Sequence, residues 1–234
     1  MNKGLTKKKL IEISNTDFKI INESNWTAEV YGFGKWIRKY AFYPKFLPIK
    51  IQTDHGPSYG DGPQKNEIKT KESVMFYHSI RLVNIWKKKS KKACYVLPSP
   101  FVFYKLKNKI KKSENANGTL VFPAHTTEMI DDVSNVDDYI DKLLSLPQKF
   151  KPLSACIHVA DIRKGLHEKF LNRGIPVYTA GSEFDPNFIE NFYRILKKFK
   201  YSTSNLAMSC LHYSIDLGIP HFIYGNSPKM YNKG

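Results

Sequence analysis

Short apolar runs alternate with stretches of helical periodicity across residues 118–225, and that alternation leaves few folds open. GTLVFPAH (118–125) reads as a strand running into a loop. VDDYIDKLLSL (136–146) reads as a helix with its acidic residues early, where the helix dipole favours them. SACIHVAD (154–161) is a second strand, with His158 inside it, and IRKGLHEKFLNRG (162–174) is a helix closed by Gly174. IPVYTAG (175–181) is a third strand, and DPNFIENFYRILKKF (185–199) opens with Asp then Pro, a good helix start. YSTSNLAMSCLHYSIDLGIPHFIYG (201–225) adds a short strand, a polar turn, a helix over 206–216 and a last strand. Strands parted by helices in this way predict an α/β fold, with the second half a doubly wound parallel sheet.

The first half is less regular but of the same kind. FLPIKIQTDHG (46–56), SVMFYHS (73–79) and ACYVLPSP (93–100) read as strands, and IRLVNIWKKKSKK (80–92) and FVFYKLKNKIKK (101–112) as helices. A polar, glycine-terminated stretch, KKSENANG (111–118), suggests a boundary, with one α/β unit over 1–112 and another over 113–234. Charge changes at the same place. Residues 1–112 hold 24 of the 37 Lys and Arg but 8 of the 21 Asp and Glu, leaving 13 of each for residues 113–234. The whole net charge of +16 therefore belongs to the first half, much of it in KKK (7–9), WKKKSKK (86–92) and KLKNKIKK (105–112). Such clusters suit anionic lipid, nucleic acid or another polyanion; the plainer alternative is solvated lysine on helix faces.

A hydrophobic content of 41% excludes a disordered chain. Cys94, Cys156 and Cys210 are widely spaced and odd in number, which predicts buried free thiols and a reducing compartment. No run reaches the roughly 18 apolar residues of a membrane span, and the basic start lacks the apolar core of a signal peptide. A cytoplasmic protein is expected.

Ligands of open α/β sheets bind beyond the carboxyl ends of the strands. There the chain places Ser202, Thr203, Ser204 and Asn205, small polar residues where a strand hands over to a helix. A helix N-terminus offers unpaired N–H groups and the positive end of a dipole, so this turn is expected to hold a nucleotide phosphate. The alternative is an ordinary N-cap. His125 is expected to contact a phosphate or nucleotide sugar, helped by Thr126 and Thr127, unless it is a loop residue satisfied by the backbone. His158, His167, His212 and His221 are expected to be structural. Asp54 and His55, ahead of Gly56, are candidates for a general base toward a hydroxyl, against the alternative of an Asx-type turn. Glu183 is a candidate for binding a ribose hydroxyl or a sugar. The chain has no zinc-ligand spacing, nucleophile elbow, P-loop or dinucleotide fingerprint, so no metal and no cofactor is expected.

These residues carry a resemblance. TSNLAMSCLHYSIDLGIPHFIYG looks like the late donor-side segment of two-domain, GT-B type bacterial glycosyltransferases of surface polysaccharide biosynthesis. VFPAHTT resembles the strand-plus-histidine element of their sialyltransferase-like and Kdo-transferase-like members, and TDHG sits where such enzymes carry an acid or base. The resemblance implies two Rossmann-like units, with an acceptor-side domain over 1–112 and a nucleotide-sugar-binding domain over 113–234. It implies a CMP-sugar or related nucleotide-sugar donor and metal-independent transfer to a surface glycan or lipid-linked acceptor. Carried over by position, Asp54 or His55 is the base, His125 a nucleotide contact, and Ser202, Thr203, Ser204 and Asn205 the phosphate contacts. The basic half would rest on anionic inner-leaflet lipid near such an acceptor. Two alternatives stay open: a sugar-nucleotide epimerase of the same architecture, and a non-enzymatic binder of nucleic acid or another polyanion. The basic tracts lack the interleaved aromatics of a single-strand groove, which weighs against nucleic acid.

Overall fold

A computed structural model of the protein describes residues 3–19, 27–54, 56–57, 60, 62–63 and 65–233. The chain divides into two compact units. A basic unit comprises Phe18–Asn108 and Glu183–Ile189; a sheet unit comprises Met1–Asp17, Lys109–Ser182 and Glu190–Gly234. The division at Asn108 lies just ahead of the charge step, but the N-terminal segment goes with the second half of the chain rather than the first. Its helix α1 (Lys7–Ser14) is capped by Thr6 and buries Leu10 in the core of the sheet unit. Just before it, Leu5 N–H donates to Val177 O at 2.8 Å.

The basic unit follows the order α2 (Phe33–Ala41), β1 (Gln52–Thr53), α3 (Lys65–Lys69), β2 (Val74–Tyr77), α4 (Ile80–Lys89), β3 (Ala93–Val96) and α5 (Pro100–Lys107). Its three strands form a parallel sheet in the order β1-β2-β3. The first strand is much shorter than its apolar run suggests; Pro48 has no N–H to give a ladder. Met75, Tyr77, Leu82, Val83 and Trp86 form the core, and the Trp86 indole donates to Lys92 O at 2.9 Å. Ser79 caps α4, whose last turn holds Lys87, Lys88 and Lys89 where the dipole favours cations.

The sheet unit continues with β4 (Thr119–Phe122), β5 (Ile130–Asp132), α6 (Val136–Leu144), β6 (Leu153–Cys156), α7 (Val159–Arg163), α8 (Leu166–Asn172) and β7 (Val177–Tyr178). Then come α9 (Phe188–Leu196), which belongs to this unit from Glu190 on, β8 (Tyr201–Ser204), α10 (Ser209–Asp216), β9 (His221–Ile223) and β10 (Met230–Asn232). Five strands pair in parallel in the order β7-β6-β4-β8-β9. All four residues of β4 are buried, as in a sheet covered on both faces. The α/β class and the parallel sheet expected from the alternation are therefore present. By order of appearance the strands run third, second, first, fourth, fifth, so the winding reverses between β4 and β8. That reversal is the topological switch point, where such sheets open a crevice.

Three local differences from the sequence reading bear on the site. His158 is not inside a strand but is the N-cap of α7. The helix expected over 162–174 is two, α7 and α8, parted by Gly165 at φ 83°. β5 and β10, which no apolar pattern announces, pair antiparallel. Among the described residues no helix is long and apolar enough to cross a membrane.

Candidate functional site

Three of the four residues expected to form a phosphate-binding turn lie in a strand instead. Ser202, Thr203 and Ser204 lie in β8, each with 0% of its surface exposed, and α10 begins only at Ser209. Their hydroxyls satisfy the sheet's own needs. Thr203 Oγ1 donates to Phe222 O at 2.7 Å, and Ser204 Oγ donates to Leu206 O at 2.7 Å. Ser202 is in register with His221 across the β8–β9 ladder, and the imidazole bridges both serines, with Nδ1 2.9 Å from Ser202 Oγ and Nε2 2.9 Å from Ser204 Oγ. Because the Ser204 proton goes to Leu206 O, its oxygen accepts from His221 Nε2–H. Nδ1 then accepts from Ser202, which fixes the neutral tautomer. Burial agrees, lowering the His221 pKa to about 4.

Asn205 stands at the switch point itself. Its Oδ1 accepts from Ala124 N at 2.8 Å and its Nδ2 donates to Asn226 O at 3.1 Å, so one buried amide joins the exits of β4 and β8 to the segment after β9. Asn226 is delivered there by Gly225, at φ +96°, where a Cβ would lie 2.4 Å from the Tyr139 ring. No side chain larger than hydrogen fits.

The loop after β4 is held as firmly. Thr126 N–H donates to both Asp161 oxygens, at 3.1 and 3.2 Å, and Thr126 Oγ1 donates to Oδ1 at 2.6 Å. Asp161 sits in the first turn of α7, at the positive end of its dipole, and is 3% exposed. Lys164 closes the other side. Its Nζ donates to Thr126 Oγ1 at 2.9 Å and to Thr127 O at 2.8 Å, and pairs with Asp131 at 2.6 Å. The lysine bonds to Asp131 from Lys164 and Lys233 hold that carboxyl below the usual range. Thr127 Oγ1 in turn accepts from the N–H groups of Met129 and Ile130. Thr126 and Thr127 thus hold the loop.

His125 is what the loop presents. It is exposed between two anchored neighbours, and its ring lies 4.8 Å from that of His158 at 32°. His158 Nδ1 accepts from Ala160 N, so its ring is fixed by the helix it caps. Across the switch point, no described side chain caps α10, whose approach through Leu206 and Ala207 is exposed. An exposed imidazole and a helix amino end at neighbouring strand exits suit an anion or a nucleotide.

The remaining candidates belong to the basic unit. Asp54 follows β1 in the basic unit, 5% exposed, with its N–H on Phe76 O, while His55 lies outside the described residues. Glu183 groups with the basic unit, where its carbonyl accepts from Tyr31 N–H. Burial, and then the Glu183 charge, push the Tyr31 hydroxyl up to about 12. The cysteines are free, and burial pushes Cys156 and Cys210 up to about 12, leaving them inert as nucleophiles. Among the described residues, no group of three or more His, Cys, Asp or Glu is placed to hold a metal ion. Lys164 and the loop-anchoring role of Asp161 were missed from the sequence, where a lysine in a helical stretch reads as a solvated face. No protein-family model, no curated protein and no solved structure matches the chain.

Proposed function

We propose that the protein is a glycosyltransferase that moves a sugar from a nucleotide-sugar to a hydroxyl of a surface glycan or lipid-linked acceptor, without a metal. The nucleotide is assigned to the switch point between β4 and β8. The observation that carries this reading is the loop after β4, which is pinned through Ala124, Thr126 and Thr127 yet leaves His125 exposed at the exit of the strand next to β8, the strand that leads to α10, whose amino end no described side chain caps. A donor phosphate there would meet the positive end of a helix dipole and the exposed His125 imidazole, whose Nδ1–H is directed to Thr126 O at 3.2 Å. Both act where negative charge grows as the donor bond breaks. In that step the acceptor oxygen bonds to the anomeric carbon, the carbon's bond to the phosphate oxygen breaks, and the nucleotide leaves with the electron pair. The acceptor proton goes to a general base, a role for which the sequence offers Asp54 or His55.

Thermal unfolding with CMP, CDP, UDP and GDP, each with and without Mg²⁺, tests the reading. One nucleotide should raise the melting temperature without the cation, since saturation at about 100 times Kd stabilises the fold by about 2.7 kcal/mol. His125→Ala should reduce that rise while leaving the unliganded melting temperature unchanged. No rise with any of the four would overturn the proposal.

A further inference from the structure

The lysine tracts that dominate the sequence are not the most conspicuous surface of the basic unit. Part of them is engaged internally: Lys92 Nζ donates to Ile68 O and Thr70 O, and Lys89 Nζ to Gly62 O. Instead, every residue over 39–47, KYAFYPKFL, is exposed, with Phe42 at 95% and Phe46 at 81%. Leu106, on the last turn of α5 in the same unit, adds a further exposed apolar side chain. Exposed apolar clusters of this kind mark interaction sites.

The loop is built rather than loose. Tyr43 N–H donates to Arg38 O at 2.9 Å, Tyr43 OH to Pro48 O at 3.2 Å and Leu47 N–H to Pro44 O at 3.3 Å. Arg38 is 5% exposed; it holds Glu29 through two bonds, of 2.8 and 2.6 Å, and donates to Leu47 O at 2.8 Å. Its Nε has no partner among the described residues. Phe42 occupies the C-cap of α2 at φ 53°, a left-handed position where glycine is favoured and a bulky side chain is strained. Phe42 is 95% exposed rather than packed on the described residues of its unit, so the strain serves something outside it.

Beneath the loop lies a cavity of about 800 Å³ lined by Arg38 and by Lys19, Lys35, Lys39, Lys45 and Lys107. Among its described lining residues the one carboxylate is Glu29, which Arg38 neutralises. The cavity is therefore strongly cationic, and beyond that ion pair its charge is lysine. Lysine heads on flexible stems suit a dense layer of phosphates, whereas base readout favours the planar fork of arginine.

We propose that the loop over 39–47 and this cavity form a docking surface for an anionic lipid bilayer. Phe42, Phe46 and Leu47 enter the boundary between headgroups and acyl chains, and the lysines meet the headgroup phosphates. Two weak signals, apolar insertion and a basic patch, are together what reversible membrane attachment requires. This surface is independent of the switch point in the sheet unit, so it stands or falls apart from the sugar-transfer proposal.

The test is flotation of the intact protein with phosphatidylcholine vesicles, with and without phosphatidylglycerol, at low and high salt. The protein should float only with the anionic vesicles, and less at high salt. The triple variant Lys39→Gln, Lys45→Gln, Lys107→Gln should bind about 100-fold more weakly, at roughly a factor of five per lysine. The double variant Phe42→Ser, Phe46→Ser should lose at least about tenfold, with its melting temperature no lower than that of the parent chain. Absence of flotation with either vesicle would overturn the proposal. So would equal flotation by the variants, or binding confined to a single-stranded oligonucleotide.

Discussion

β8 and the loop over 39–47 invert the usual placement of polar and apolar residues. Ser202, Thr203, Ser204 and Asn205 are hydrophilic yet buried, while Phe42, Phe46 and Leu47 are apolar yet exposed. The first group is stable inside because each polar side chain has a partner fixed by the sheet, in the neighbouring strand or at the strand exits. The second is held outside because the bonds that shape its loop run through backbone atoms and Arg38, leaving the rings no place to pack. Burial here follows the satisfaction of polar groups rather than the hydropathy of a run.

The sharpest way to break the contrast is at Gly34. A Cβ there would lie 1.7 Å from Glu29 Oε2 and 2.7 Å from Arg38 Nη1, so Gly34→Ala must displace the buried pair that supports the loop. Removing one partner of such a pair costs about 3–5 kcal/mol, and displacing both heads together should cost part of that, read by chemical denaturation. Vesicle binding should fall with it, and the nucleotide-induced rise in melting temperature should not.

Acid probes the buried side. The His221 imidazole takes a proton near 6.5 in the unfolded chain but only at about 4 when folded. The unfolded state therefore binds the extra proton between those values. The contribution is complete above about pH 6.5 and is lost as pH falls toward 4. Discounted for partial solvent access, the loss is on the order of 2 kcal/mol. Denaturation midpoints across that window should fall more steeply for the parent chain than for His221→Gln. Parallel slopes would mean that burial does not hold the ring neutral in the folded chain.

Asn205→Ala is expected to cost about 1–3 kcal/mol, because it leaves Ala124 N–H and Asn226 O buried or half-buried without their partner. A measured loss of stability, rather than a weaker ligand contact in an unchanged fold, distinguishes a strut from a phosphate ligand.

These effects show which parts of the protein were legible in its sequence. The parallel sheet was, because strands buried on both faces must be continuous apolar runs, as LVF in β4 is. β8 was read only in part: its polar run looks like a turn until His221, far along the chain, is known to lie opposite. β5, written Ile-Asp-Asp, and β10, fully exposed, carry no apolar pattern, so pairing alone defines them. His125 was legible as a polar residue at a strand exit. The latch of Asp161 and Lys164 on Thr126 was not, because it depends on where α7 begins, and His158 reads as strand until its imidazole is seen to cap the helix. α1 was hidden for a related reason, since it buries little beyond Leu10 and so shows no apolar stripe.

The smallest expected effect bears most directly on the exposed side. Phe42→Gly removes a bulky side chain from a left-handed C-cap, where glycine carries no Cβ penalty. Relief of that strain is offset in part by the greater freedom of glycine in the unfolded chain, leaving a net gain of about 0.5 kcal/mol. The melting temperature should therefore rise slightly while flotation with anionic vesicles falls. A chain that became more stable and lost its lipid contact would identify Phe42 as a residue retained against the interest of the fold. If the melting temperature instead fell by several degrees, Phe42 would be packing onto its own unit, and the contrast between a satisfied interior and an unsatisfied surface would fail at the residue that defines it.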